Sequence, residues 1–155
     1  MPVYEYSIDP SDPQQISVRI YAGRGQAVAA NAVIMWHDGT PVFESYATHA
    51  GHQGKGLSYA LTHLMLLYCR EKHFQPVEVL NAHFPLMRTL EALKFVKSNP
   101  RRDPTFKHKG APEDHNTADF SCDDVSAALT LCKQKLLRIG LIEDGFRNRG
   151  PYQWP

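Results

Sequence analysis

Apolar and polar positions alternate along much of the first third of the chain, and this spacing of two predicts strands. Four segments carry the signature of strands: residues 3–8, 16–22, 27–36 and 41–48. Pro10 and Pro13 break the chain after the first segment, because proline lacks a backbone donor and fixes φ. Asp38-Gly39 separates the last two segments and is a strong signal for a tight hairpin turn. The first third is therefore predicted to be an antiparallel meander.

The spacing changes in the middle third, where apolar residues recur at helical spacing. This pattern predicts helices over residues 58–72 and 85–94, with a short apolar strand at 77–80 between them. Pro85 suits the first turn of the second helix, where its missing N–H costs no hydrogen bond. Another strand is predicted to begin at residues 95–97. This combination of strands and helices indicates an α/β protein.

The last third begins with a polar, proline-rich stretch at residues 98–116, which predicts a long loop. A helix is predicted over residues 123–139, with Ser121 or Cys122 near its cap. Acidic residues at its start and basic residues toward its end complement the helix dipole. The tail over residues 145–155 shows no regular pattern and is predicted to be irregular.

Composition and charge are those of an ordinary globular protein. The chain has 155 residues, 43% of them hydrophobic and 21% charged, which suits one domain with a buried core. The net charge of +1 gives no argument for nucleic-acid or membrane binding. No apolar run is long enough to span a bilayer, and the first residues lack the features of a signal peptide. We therefore expect a cytoplasmic protein without a membrane partner.

The cysteine and histidine residues form no recognisable disulfide or metal pattern. Cys69, Cys122 and Cys132 are odd in number and include no Cys-x-x-Cys pair, so we expect reduced thiols. No pair of histidines has the spacing of metal ligands, and the sequence predicts no metal site.

The segment Gly51-His-Gln-Gly-Lys-Gly-Leu-Ser58 is rich in glycine and lies between a predicted strand and a predicted helix. Glycine allows sharp turns and leaves N–H groups accessible, and a helix start adds unpaired N–H groups and a partial positive charge. Such a loop binds phosphate with few basic side chains. It lacks the Gly-Lys-Ser/Thr ending of a Walker A loop and does not read Gly-x-Gly-x-x-Gly. The alternative is a turn that binds no ligand.

Within this loop, Gln53-Gly-Lys-Gly56-Leu-Ser58 resembles the Gln/Arg-x-x-Gly-x-Gly/Ala signature of the GCN5-related N-acetyltransferase (GNAT) superfamily. Two later segments, Val77-Glu-Val-Leu-Asn-Ala82 and Leu90-Glu-Ala-Leu-Lys-Phe95-Val, resemble that family's next strand and the end of its next helix. The resemblance covers about residues 27–97.

The resemblance implies a GNAT-like α/β (α+β) fold, in which helices flank a mixed, mostly antiparallel central sheet. The chain would form a single domain over residues 1–155. Its cofactor-binding core would lie at about 27–97, and a C-terminal helical extension would occupy 98–155.

The resemblance also implies that the protein binds acetyl-CoA as a cosubstrate and transfers the acetyl group to a primary amine by direct attack. The sequence does not identify the acceptor, which could be a small molecule or a protein. The diphosphate of acetyl-CoA would lie on the glycine loop, and its pantetheine arm would run along the strand before that loop. The implied cofactor contacts are Ala47, Thr48, His49, Gln53, Gly54, Lys55, Gly56, Leu57, Ser58 and Asn81.

An amine acceptor is mostly protonated at neutral pH, so the transfer needs a base. Four residues near the implied thioester position are candidates for acid and base roles: Glu44, Tyr46, His49 and His83. For each of them, a surface or packing role is the alternative. Leu90 stands where the family places its general acid, a tyrosine. The helices that the family places between its first two strands are also absent, so the acceptor site would be built otherwise.

Two other functions are compatible with the sequence. The leucine at the position of the general acid leaves open a catalytically inactive module that binds CoA or a protein. A group of basic residues leaves open a GNAT-fold enzyme that acts on nucleic acid or aminoacyl-tRNA: Arg101, Arg102, Lys107, His108 and Lys109. These residues could instead bind the 3′-phosphate of CoA or an acidic protein surface, or stay solvated. Tyr152 and Trp154 could pack on a second copy of the chain in a homodimer.

Overall fold

A mixed sheet with helices packed on it forms the framework of the protein in the computed structural model. The structure describes residues 4–106, 110–140 and 146–155. Within these ranges the strands are β1 (Tyr4–Asp12), β2 (Gln15–Ala22), β3 (Val28–His37), β4 (Thr40–Thr48), β5 (Val77–His83), β6 (Val96–Arg101), β7 (Thr117–Cys122) and β8 (Arg147–Pro151). The helices there are α1 (Leu57–Glu71), α2 (Phe84–Ala92) and α3 (Val125–Arg138).

The strand order across the sheet is β6-β7-β5-β4-β3-β2-β1-β8. The β4–β5 and β1–β8 pairs are parallel, and the other neighbouring strands are antiparallel. This arrangement confirms the predicted α/β class with a mostly antiparallel central sheet. The helix connecting β4 to β5 is α1, as expected for two parallel neighbours that need a crossover connection.

The predicted meander is confirmed as β1 to β4. Asp38 and Gly39 have φ values of 51° and 81° in the β3–β4 turn, as the Asp-Gly signal predicts. A tight turn joins β1 to β2, with Asp12 opposite Gln15, so no helix lies between these strands. The predicted break at Pro10 was wrong, because β1 continues through it. A register irregularity between Asp9 and Asp12 provides a place where a proline is tolerated.

Helix α1 holds the centre of the molecule together. Ala60, Leu61, Leu64 and Met65 are all buried, at the spacing that predicted this helix. The helix contacts β2, β3 and β4 on the sheet and packs against α3 on another side. The start of α1 is therefore fixed relative to both the sheet and α3.

The prediction of one loop over residues 98–116 was wrong at its start, because β6 extends to Arg101. Pro100 is tolerated there because β6 is at the edge of the sheet and has one neighbour, β7. β7 itself was not predicted, although its buried and half-buried positions largely alternate. The last helix begins at Val125, and Asp124 rather than Ser121 or Cys122 caps it by accepting a hydrogen bond from the Ala127 N–H.

The tail was predicted to be irregular, and this was wrong for β8. Arg149 donates to Glu5 of β1 over 2.7 Å, and the Trp154 indole donates to the Tyr6 hydroxyl over 2.7 Å. The Tyr152 ring packs on Tyr68 of α1. Contacts with distant residues, rather than a local pattern, give the tail its structure. The aromatic side chains that suggested a homodimer thus pack on their own chain, and the homodimer stays a prediction.

Two further predictions concern the group of basic residues and membrane-spanning segments. Of the predicted basic group, Lys107, His108 and Lys109 lie outside the described residues. Arg101 is paired with Asp119 over 3.0 Å. None of the helices in the described part of the chain is long and apolar enough to cross a membrane.

Candidate functional site

A cleft of about 1180 Å³ opens where β4 and β5 diverge. The two parallel strands pair at a single position, Val42 with Glu78. Beyond this pair each strand has a register irregularity, with Ser45 of β4 at φ 57° and Asn81 of β5 at φ 56°. Bulges bend strands and interrupt their pairing. The edge of β4 that faces the cleft is therefore left without a neighbouring strand.

The first turn of α1 closes one end of the cleft with backbone N–H groups. Gly54 and Gly56 have φ values of 75° and 81°, which favour glycine, and Gly56 is the N-cap residue. No side chain caps the helix. None of the six N–H groups from Gln53 to Ser58 has an acceptor among the described residues. Six unpaired donors at a positive helix end form a site suited to an anion such as a diphosphate.

The structure brings nearly all the implied cofactor residues to this cleft. Nine line it: Ala47, Thr48, Gln53, Gly54, Lys55, Gly56, Leu57, Ser58 and Asn81. His49 is not among the lining residues, and its ring is bonded to Asn31 of β3 over 3.2 Å. Asn81 is held by its backbone N–H, which donates to Asp119 over 2.9 Å, and by Arg101, which donates to its side-chain oxygen.

His83 lies at the end of β5, on the wall of the cleft opposite β4, and is bonded to a carboxylate. Its Nε2 lies 3.2 Å from Asp103 Oδ2. Hydrogen bonds from the Thr105 hydroxyl and N–H, together with His83, lower the pKa of Asp103, so this carboxylate is ionised at neutral pH. An ionised carboxylate only accepts hydrogen bonds, so Nε2 of His83 is the donor. In a neutral ring the proton-accepting lone pair is then on Nδ1, which suits a general base.

A buried asparagine shapes the loop that brings Asp103 to His83. Asn116 is 2% exposed and accepts from the Asp103 N–H over 2.7 Å. Its amide also donates to the carbonyl oxygens of Asp103 and Phe106, over 2.9 and 2.5 Å. The Phe106 ring packs on the His83 ring with centroids 4.2 Å apart. One side chain therefore fixes the two residues that contact His83.

Glu44 and Tyr46 line the cleft, but both have partners. The Glu44 carboxylate lies 3.1 Å from Nε2 of His37. The Tyr46 hydroxyl lies 2.8 Å from Thr62, whose own hydroxyl donates to the Ser58 carbonyl, so Tyr46 is the donor in its bond. Burial raises the pKa of Tyr46, so the hydroxyl keeps its proton. Its hydrogen bond to Thr62 links β4 to α1.

Leu90, at the position of the family's tyrosine, is completely buried. It offers no group for protonating a leaving thiolate. The cysteines are also unsuited to nucleophilic chemistry, because burial raises the pKa of Cys69 and Cys132 to about 12 and that of Cys122 to about 11. In the described part of the chain, no three His, Cys, Asp or Glu side chains are grouped to hold a metal ion.

Sequence reasoning missed His52 and Tyr59, which lie within and directly after the glycine loop. Further missed lining residues come from distant segments: Tyr4, Phe106, Lys135, Ile139 and Gly140. It also missed Asp103. The order Asp103-Pro-Thr105 is a turn signal, because an aspartate often accepts from the N–H two residues later. Lys135 follows the buried Cys132 by three positions on α3, which places a charge beside an apolar stripe. Neither signal indicates which distant residues Asp103 or Lys135 will contact in the fold.

No protein-family model matches the sequence, and no curated protein matches it. Solved structures do match. BjaI, a CoA-dependent acyl-homoserine lactone synthase solved with SAM and isopentyl-CoA, is 13% identical, with a TM-score of 0.59 over 92% of this chain and 72% of that one. A GNAT-family acetyltransferase from Staphylococcus aureus Mu50 is 8% identical, with a TM-score of 0.51 over 71% of this chain and 68% of that one.

Nourseothricin acetyltransferase is 18% identical, with a TM-score of 0.51 over 72% of this chain and 66% of that one. At these identities the likeness establishes the fold and leaves the substrates open. The strand order, the parallel β4–β5 pair and the glycine-rich start of α1 agree with it. The chain has the fold of the GCN5-related N-acetyltransferase (GNAT) superfamily.

Proposed function

We propose that this protein is an N-acyltransferase that uses acetyl-CoA and acts on a primary amine. The observation that carries the proposal is the set of six unpaired N–H groups from Gln53 to Ser58, which open onto the unpaired edge of β4. The N–H groups suit the diphosphate of CoA. The strand edge suits the amides of the pantetheine arm, which can pair with it as another strand does.

The reaction requires a neutral amine at the thioester carbon. The amine nitrogen bonds to that carbon, the carbon–sulfur bond breaks, and the amine loses a proton. His83 is the residue best placed to take this proton, because it lines the cleft and Asp103 holds its ring. The CoA thiolate leaves and takes up a proton from water. No covalent intermediate with the protein is formed.

The experiment that tests the proposal is calorimetric titration of the protein with acetyl-CoA and with CoA. Gly56→Glu places a carboxylate at the anion site and should abolish micromolar binding. Gly39→Glu is the matched control, because Gly39 also has φ 81° but lies in the β3–β4 turn and does not line the cleft. If neither ligand binds the wild-type protein, the glycine loop is only a turn and the proposal fails.

The second test is a screen for the acceptor with turnover as the readout. The amines include SAM, because BjaI was solved with SAM and its match covers more of this chain than the other matches described above. The buried Leu90 favours one alternative function, a module that binds CoA without catalysis. Tight CoA binding without acyl transfer to any amine would support that alternative.

A further inference from the structure

The last turn of α3 lies beside the phosphate-binding end of the cleft. Lys135, Ile139 and Gly140 line the same cleft as the glycine loop. The Cys132 thiol donates to the Tyr59 carbonyl over 3.1 Å, which fixes α3 against the first turn of α1. The end of α3 is thus a fixed wall of the cleft, built from a part of the chain that the GNAT resemblance does not cover.

Lys135 is held at this wall without a carboxylate partner. Its Nζ lies 5.4 Å from the centre of the Tyr59 ring, in a cation–π contact. No carboxylate among the described residues lies within ion-pair distance of it. The side chain is half-buried, whereas Lys133 on the same helix is exposed. Because no carboxylate of the described residues pairs with its ammonium group there, this lysine can bind an anion in the cleft.

The charges around the cleft favour a ligand with more phosphate than the loop alone would bind. Lys55 and Lys135 line it, and Glu44 is the only acidic lining residue in the described ranges. The Glu44 carboxylate is bonded to His37. A phosphate monoester carries about −1.5 to −2 charges near pH 7 and accepts strong hydrogen bonds from lysine. CoA carries such a group, its 3′-phosphate, in addition to the diphosphate.

We infer that Lys135 binds the 3′-phosphate of CoA, so that the protein distinguishes CoA from 3′-dephospho-CoA. This inference rests on the proposed function. It assigns the diphosphate to the backbone of the glycine loop and the 3′-phosphate to the end of α3. It thus places the 3′-phosphate away from the basic residues near Arg102 that the sequence also offered for it.

The test is calorimetric titration of CoA and 3′-dephospho-CoA into three proteins: wild type, Lys135→Gln and Lys133→Gln. The wild type should bind CoA about tenfold more tightly, as expected for one charge-assisted contact. Lys135→Gln should reduce this ratio to about one, with little change for 3′-dephospho-CoA. Lys133→Gln, the same substitution on the exposed side of α3, should keep the wild-type ratio.

The outcomes separate this inference from the proposed function. If the wild type binds neither ligand, both are overturned. If the wild type binds both ligands equally well, the proposed function stands and the inference is overturned. The inference is also overturned if Lys135→Gln keeps the tenfold ratio or weakens both ligands equally. Circular dichroism of the variants shows that they are folded.

Discussion

Two parts of the cleft, the glycine loop and the surroundings of His83, are built in different ways. At the start of α1, consecutive residues from Gln53 to Ser58 present backbone N–H groups, and the glycines set their directions. On the β5 wall, His83 depends on Asp103, which is 20 positions away, and Asp103 depends on Asn116, which is another 13 positions away. The first part is local and made of backbone, whereas the second is assembled from side chains across the fold.

This difference predicts different responses to mutation. Changes in the glycine loop should affect the binding of CoA, because we propose that its N–H groups bind the diphosphate, which does not react. Changes around His83 should affect the rate, because we propose that His83 takes up the proton of the amine. The predictions below test this division, and the largest expected effect comes first.

His83→Gln should lower kcat by about a hundredfold or more, because glutamine cannot take up the proton of the amine. The affinity for acetyl-CoA should change by less than about twofold. Steady-state kinetics with an acceptor found in the screen, together with calorimetry, would measure both quantities. A large loss of affinity at unchanged kcat would show that His83 binds the cofactor instead of acting as the base.

His63 on α1 should make the protein less stable in acid. Burial, with smaller contributions from Lys133 and Arg70, lowers the pKa of His63 from 6.5 to about 4. Above pH 6.5 the ring is neutral in both states. Between pH 6.5 and 4 the unfolded chain takes up the proton first, so the free energy of unfolding should fall by roughly 3 kcal/mol.

The control for this effect is His63→Leu, which replaces the titrating ring with an apolar side chain that cannot take up a proton. Urea unfolding of both proteins at pH 7, 5.5 and 4.5 would compare their slopes. The variant should lose about 2 kcal/mol less than the wild type over this interval. Equal slopes would show that other groups cause the acid sensitivity.

Asn116→Ala should destabilise the protein by about 2 kcal/mol, because it removes three part-buried hydrogen bonds to the backbone of Asp103 and Phe106. It should also lower kcat, since the loop then no longer holds Asp103 against His83. Urea unfolding and kinetics would measure these effects. A variant that is destabilised but has the wild-type kcat would show that Asn116 supports the fold without positioning His83.

Lys55→Gln should weaken CoA binding by only about threefold to fivefold. Its side chain is exposed, and solvent screens its charge, so the backbone donors contribute most of the affinity. Calorimetry on this variant beside Gly56→Glu would test how the affinity is divided. A loss near a hundredfold would mean that the lysine, rather than the backbone, binds the diphosphate.

The same division explains what could be predicted from the sequence. The glycine loop and the helices around it were predicted because glycine spacing and helical periodicity are local signals, and Gly56 does cap α1. The fold class followed from these signals and the GNAT resemblance. His83 was a candidate, but its partner Asp103 was not, because a turn signal does not indicate what the turn will contact. β8 was missed because its sequence is irregular and its partner strand is β1.

The pairing of β8 with β1 has a consequence for how the chain folds. The Glu5–Arg149 contact joins residues 144 positions apart, and Glu5 is only 7% exposed. Contacts of such long sequence separation form late, because a large loop must close before they contribute any energy. The β2–β4 hairpins and α1 can form from nearby residues, whereas the outer edge of β1 is completed only after Arg149 has been synthesised. Until then Glu5 lacks the partner that it has in the folded protein. The β1–β8 edge of the sheet is therefore among the last parts of the protein to become stable.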